Sequence, residues 1–172
     1  MASKSKKLQG TPGSIYIING KDKYLSDAEC EVLIDGLLSN EERSMGLYQA
    51  RGDEADVADI LDELRTVPFL SSRRVVLVRD ADKFISENRE ILEKYFDKPS
   101  RSGVLILTVQ TWRKNTKLAK KLSGVGELIE IGEVKGWQLP KYAANYAKSR
   151  FGKAMSEATC LLYTSPSPRD RS

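Results

Sequence analysis

The sequence contains no histidine. Because histidine is the usual base of catalytic triads and one of the commonest metal ligands, its absence excludes Ser-His-Asp and Cys-His catalysis and most zinc and iron sites. The two cysteines, Cys30 and Cys160, lie far apart and form no C-x-x-C pair. The sequence therefore predicts no metal site, no bound cofactor and no disulfide framework, and it favours a reducing cytoplasm as the location.

Long apolar stretches are also absent. No run of about 18 apolar residues, the length that spans a bilayer, occurs in the chain. The lysine-containing start at 1–13 has no apolar segment behind it, so it predicts a flexible terminus rather than a signal peptide or a membrane anchor. The net charge of +4 permits contact with nucleic acid but does not require it.

Short apolar runs alternate with helical patterns over residues 14–135. The runs are nearly continuous in Val, Ile and Leu, which is typical of strands buried on both faces. This alternation predicts an α/β domain with a largely parallel sheet and helices on both faces, and the most hydrophobic run, 104–109, is expected at its centre. The predicted strands are 14–19, 46–52, 74–78, 104–109 and 127–131, and the predicted helices are 25–37, 54–65, 87–96 and 116–122.

The pattern changes after Gly136. From Trp137 onward it is helical only, which predicts the start of a second, all-helical domain at 136–162. Residues 163–172 have the Ser/Pro/Arg composition of a disordered tail and are expected to be foreign to the parent gene. Because two helices bury little core of their own, we expect the chain to be a fragment.

The predicted strand exits lack a phosphate loop. Such a loop reads G-x-x-x-x-G-K-[ST], because bare backbone amides must approach the phosphates, whereas Gly20 stands alone here and is followed at once by Lys21. Asp80 and Asp82 follow the third strand, where acidic residues either hold magnesium or form an ordinary turn. Ser26 and Glu29 predict a capping box at the start of the first helix.

A regulatory domain of the phosphoacceptor receiver type is the alternative. Asp80 could accept the phosphoryl group, with a threonine after the fourth strand and Lys135 after the fifth. Such a domain also needs an acidic pair after the first strand to bind magnesium, and this chain has Ile18 and Asn19 there. The receiver or phosphate-binding interpretation therefore fails at its metal site.

Two segments are candidates for binding a macromolecule. Phe69 and Leu70 lie between Pro68 and a polar run, so they either fold back into the core or are displayed to a partner. The segment 112–122 is rich in cations, which would contact a DNA backbone in a salt-sensitive way or form a solvated face. Its cations are Arg113, Lys114, Lys117, Lys120 and Lys121.

Residues 14–162 resemble the N-terminal part of the delta subunit of the bacterial DNA polymerase III clamp loader. Four ordered segments carry the resemblance: "IYIINGKDKYL", "DELRTVPFLSSRRVVLVRDADKF", "LILTVQTWRKNTKLAKKL" and "KGWQLPKYAANYAKSRFGKAMSEATCLL". The resemblance implies an AAA+-type α/β domain without a nucleotide loop, followed by the start of a helical lid. It also implies a non-catalytic subunit of a DNA-directed DNA polymerase holoenzyme.

The resemblance further implies a role for the loop before the third strand. Delta subunits open the ring-shaped sliding clamp by inserting an apolar pair, which corresponds here to Phe69 and Leu70. The expected partners are the sliding clamp, the other clamp-loader subunits in the full-length protein and, weakly, primed DNA. Pro68 would stiffen the loop by disfavouring helix at Val67. The expected polar rim of the clamp-binding site is Ser71, Ser72 and Arg73.

Overall fold

A computed structural model describes residues 14–132, which belong to the first of the two units into which the chain divides after Gly132. The predicted lid and both predicted tails lie outside the described residues. The strands are β1 (Ile15–Asn19), β2 (Leu47–Arg51), β3 (Arg74–Arg79), β4 (Gly103–Val109) and β5 (Gly126–Glu130). The helices are α1 (Lys23–Leu37), α2 (Arg43–Gly46), α3 (Val57–Arg65), α4 (Asp82–Glu87), α5 (Arg89–Asp97) and α6 (Lys117–Val125).

The five strands form one sheet in the order β2-β3-β4-β1-β5, and every neighbouring pair is parallel. All residues of the central strand β4 are buried, as its hydrophobicity predicted. A parallel sheet needs a crossover between successive strands, and the helices supply most of these connections. The predicted parallel α/β architecture is therefore confirmed.

Two separate apolar cores cover the two faces of the sheet. Tyr16 and Ile18 point to the face covered by α1, whereas Ile15 and Ile17 point to the face covered by α3, α4, α5 and α6. This division follows from the two-residue period of a strand, which sends successive side chains to opposite faces. The prediction of helices on both faces is correct.

The beginning of α1 differs from the predicted capping box. Asp22 is the N-cap, and its carboxylate accepts a hydrogen bond from the Leu25 backbone N at 3.1 Å. Ser26 lies inside the helix, where its hydroxyl donates to the Asp22 carbonyl at 2.9 Å. The N-cap therefore lies one turn before the predicted Ser26, and the helix begins two residues before the predicted start, because the aspartate satisfies a free amide of the first turn.

The strand order excludes the receiver alternative. A receiver domain has the order 2-1-3-4-5, in which β1 lies between β2 and β3. Here β1 lies between β4 and β5, and β2 pairs with β3 directly.

Because all strands run the same way, the loop at 66–73 lies at the amino end of the sheet. This is the end opposite the carboxyl ends of the strands, where ligands of α/β sheets usually bind.

Candidate functional site

The tip of the loop between α3 and β3 is apolar and exposed. Phe69 is 93% exposed, Val67 79% and Leu70 60%, whereas Phe84 and Phe96 are each 1% exposed. Folding back into the core, one of the two interpretations of the sequence, is therefore wrong for this loop. Large apolar side chains grouped on a surface mark sites of protein or membrane interaction.

The two ends of the loop are anchored to the domain. Thr66 closes α3, and its backbone N and hydroxyl both donate to the Asp62 carbonyl, at 2.9 and 2.8 Å. Arg74, the first residue of β3, donates from Nε to the Glu63 carboxylate at 2.8 Å and from its guanidinium to the Met45 carbonyl. The first end of the loop is thus held by the backbone of α3, and the second end by the Glu63 side chain of α3 and by the backbone of α2.

A carboxylate from a distant segment holds the second half of the loop. Glu42 accepts hydrogen bonds from the backbone N of Ser72 at 2.6 Å and of Ser39 at 2.9 Å. The hydrogen bond from the Ser39 backbone, which has the larger effect, and the one from the Ser72 backbone lower the pKa of Glu42 to about 2. The Ser71 hydroxyl donates to the Arg73 carbonyl at 2.9 Å. Ser71 and Ser72, predicted as a rim, therefore also make contacts inside the chain.

Gly46 allows the loop to approach α2 closely. A Cβ atom on Gly46 would lie 2.9 Å from the Ser71 Cβ and 3.0 Å from the Arg73 carbonyl oxygen. Neither Gly46 nor Glu42 was identified from the sequence. A signal existed for Glu42, since Ser39 and Glu42 have S-x-x-E spacing and their hydrogen bonds are reciprocal. The contact with Ser72 has no local signal because 30 residues separate the two.

At the carboxyl end of the sheet, opposite the loop at 66–73, the residues that follow the strands form a polar cavity of about 370 Å³. Its potential ligand-binding groups contact one another: Lys23 Nζ lies 3.0 Å from the Asp80 carboxylate, and the Asp80 backbone N donates to the Thr108 hydroxyl at 2.9 Å. The Gly20 backbone N donates to the Val109 carbonyl at 2.9 Å. The amide that a phosphate would approach is therefore already hydrogen-bonded.

The second acidic exit residue, Asp82, serves the backbone. Its carboxylate accepts hydrogen bonds from the backbone N of Gln110 at 3.0 Å and of Thr111 at 3.2 Å. This is the turn-forming role, which was one of its two interpretations from sequence. Within residues 14–132, no cluster of three or more metal-ligating side chains occurs. In the same range, no helix is long and apolar enough to cross a membrane.

Two of the five cations in the basic segment 112–122 form ion pairs. Lys121 Nζ lies 2.6 Å from the Asp97 carboxylate and donates to the Glu93 carbonyl at 3.0 Å, which ties α6 to α5. Lys114 Nζ lies 2.9 Å from the Glu130 carboxylate. The other three cations of the segment have exposed side chains: Arg113, Lys117 and Lys120.

Sequence comparison identifies the family. The sequence model described as "DNA polymerase III, delta subunit" matches residues 16–131, more than half of the chain. This chain belongs to the DNA polymerase III delta subunit family. The suspected resemblance is thereby confirmed, and the matched region of this delta-family chain includes both the exposed loop and the strand exits.

Individual curated proteins and solved structures are similar to this delta-family chain. DNA polymerase III subunit delta of Bacillus subtilis (strain 168) is 22% identical over 167 residues, which cover 90% of this chain and 48% of that protein. The solved Bacillus subtilis DNA clamp loader delta protein has a TM-score of 0.68 at 21% identity, covering 88% of this chain and 47% of that one. A Thermotoga maritima gamma subunit-related protein has a TM-score of 0.48 at 16% identity, with coverages of 87% and 53%.

The comparisons also define what part of the family is present. The chain spans about half the length of the curated relative it matches. The likeness to the Bacillus subtilis structure supports the parallel α/β fold described above. The matched region contains the exposed loop.

Proposed function

We propose that this chain is the clamp-binding portion of a clamp-loader delta subunit and opens the sliding clamp by inserting Phe69 and Leu70 into a pocket on the clamp. The observation that carries the proposal is the 93% exposure of Phe69 at the tip of a loop whose ends are hydrogen-bonded to the domain. An aromatic side chain with this exposure has no role in the core of its own domain.

The energetics of such an anchor fit the proposal. An aromatic or aliphatic side chain that fills a partner pocket contributes about 2 kcal/mol or more at an interface hot spot. Pro68 restricts the backbone beside the anchors, and the fixed loop ends reduce the entropy lost on docking. Val67, which is 79% exposed, extends the apolar surface. Arg73 and the serines before it form a polar edge.

The proposal assigns no catalytic reaction to the domain. The Gly20 amide is hydrogen-bonded to Val109, and the Asp22 carboxylate occupies the start of α1, where a nucleotide phosphate would bind in a phosphate-loop protein. We therefore expect no ATP hydrolysis. Steady-state phosphate release from a pure sample measures this, and turnover above that of a buffer blank would contradict it.

Calorimetric titration into purified sliding clamp tests clamp binding. We expect the parent chain to bind, and the Phe69→Ala, Leu70→Ala double variant to lose at least about tenfold in affinity, or 1.4 kcal/mol. Tyr24→Ala is the matched control, because Tyr24 is an aromatic residue that is also exposed (72%). It lies at the start of α1, at the carboxyl end of the sheet, whereas the loop lies at the amino end. The control should bind like the parent.

Each possible result of this titration has a clear meaning. A folded parent chain that does not bind the clamp contradicts the proposal. Equal binding by the parent and the double variant shows that the clamp contact lies elsewhere on the domain. Contact with other loader subunits and with primed DNA belongs to the same proposal, the latter through the exposed cations Arg113, Lys117 and Lys120.

A further inference from the structure

Glu42 connects the loop to a segment that lies 30 residues before it. Each carboxylate oxygen accepts one backbone hydrogen bond: Oε1 from Ser72 at 2.6 Å and Oε2 from Ser39 at 2.9 Å. Ser72 lies two residues after Leu70. The carboxylate therefore fixes the loop immediately next to its exposed apolar tip.

We propose that Glu42 is a positioning residue for partner recognition: its two hydrogen bonds hold the loop in the conformation that displays Phe69 and Leu70. This inference rests on the proposed clamp binding, and it names a residue outside the loop that sets the affinity. Without the bond to Ser72, the tip samples more conformations, and ordering them on docking costs affinity.

The chemistry of the contact requires a carboxylate. Both partners are backbone N–H donors, so the side chain must offer two acceptor oxygens at once. Glutamine has the same length and shape, but it offers only one oxygen and turns an NH₂ group towards the second donor. Hydrogen bonds from two amides favour the ionised carboxylate, in agreement with the lowered pKa of Glu42.

The packing around the contact explains why the loop follows Glu42. Ser71 lies against Gly46, where a Cβ atom would come within 2.9 Å of the serine Cβ. Ser39, Glu42 and Gly46 all belong to the connection between α1 and β2. One side of the loop thus packs against this connection, and the Glu42 carboxylate accepts a hydrogen bond from the loop backbone there.

Glu42→Gln and Glu42→Ala test the inference, with Glu41→Ala as the control. Glu41 is the adjacent, exposed carboxylate, and its replacement changes the net charge by the same amount as Glu42→Ala. Affinity for the sliding clamp is measured by calorimetry, amide hydrogen exchange of 69–73 by NMR, and folding by the thermal midpoint. We expect about threefold to tenfold weaker binding for both Glu42 variants and faster exchange at Ser72. The control should match the parent.

The readouts separate this inference from the proposed function. If the Phe69→Ala, Leu70→Ala variant loses clamp binding while the Glu42 variants bind like the parent, the positioning role is overturned and clamp binding stands. If the double variant binds like the parent, the proposed function fails and the positioning role in recognition fails with it. An affinity loss with unchanged exchange at Ser72 also overturns the inference, because the loop then keeps its conformation without the carboxylate.

Discussion

At the scale of residues, the chain uses phenylalanine in two opposite ways. Phe84 and Phe96 are each 1% exposed in the core between the sheet and the helices α3 to α6, whereas Phe69 is 93% exposed. Leaving a large apolar side chain in water forgoes about 1.5–3 kcal/mol of burial free energy. We therefore expect Phe69 to add little to the stability of its own domain and Phe84 to add much, and a stability measurement tests this contrast.

Paired substitutions at Phe69 and Phe84 measure that contrast. We expect Phe69→Ala to change the free energy of unfolding by less than about 0.5 kcal/mol, because the side chain makes few contacts in its own domain. Phe84→Ala should cost about 3–5 kcal/mol, because it leaves a cavity in the core. Urea denaturation measures both values. A loss at Phe69 similar to that at Phe84 would show that Phe69 is a core residue.

At the scale of elements, the sequence pattern predicts what is periodic and fails where contacts are not local. The five strands and four longer helices occur where apolar periodicity placed them, within a few residues. The helices α2 and α4 are only 4 and 6 residues long, too short for a helical period to be visible. The strand order depends on which strands pair in space, so no local pattern contains it.

The candidate site was partly predictable for the same reason. Phe69 and Leu70 are visible in the sequence as apolar residues in a polar segment; the residues alone leave two interpretations open, and the family resemblance implies that the pair is displayed. Glu42 was not identified, because its bond to Ser72 joins segments 30 residues apart. Long-range hydrogen bonds of this kind leave no periodic trace in a sequence.

The hydrogen bonds that Glu42 accepts from the Ser39 and Ser72 backbones predict that the stability of the folded chain depends on pH. The pKa of Glu42 is lowered from 4.5 to about 2 in the folded chain, so the folded state favours the ionised carboxylate. Its contribution is complete above pH 4.5 and is lost as the pH falls towards about 2. The difference in unfolding free energy between the parent and Glu42→Gln should therefore shrink as the pH falls through this range.

Urea unfolding at a series of pH values measures this dependence. Glu41→Gln is the control, because it changes the neighbouring carboxylate and leaves both backbone hydrogen bonds of Glu42 in place. A parent-minus-Glu42→Gln difference that stays constant over the range would mean that the two backbone hydrogen bonds do not depend on the charge of Glu42.

At the scale of the whole molecule, the net charge of +4 is less informative than its distribution. Lys114 and Lys121 are paired with acids, so only part of the basic segment faces solvent with free charge. Lys117 and Lys120 lie exposed on α6. Any contact with a DNA backbone should therefore depend on these two lysines and on Arg113, which is also exposed, more than on Lys114 and Lys121.

The salt dependence of DNA binding tests this distribution. Each lysine that neutralises a phosphate adds about 1 to the slope of log affinity against log salt concentration. We expect the Lys117→Ala, Lys120→Ala variant to bind primed DNA more weakly and to reduce the slope by about 2. The control is Lys121→Ala with Asp97→Ala, which removes an ion pair and leaves the net charge unchanged, so its slope should match the parent. An unchanged slope in the first variant would contradict DNA contact through α6, because released counterions are the source of the salt dependence.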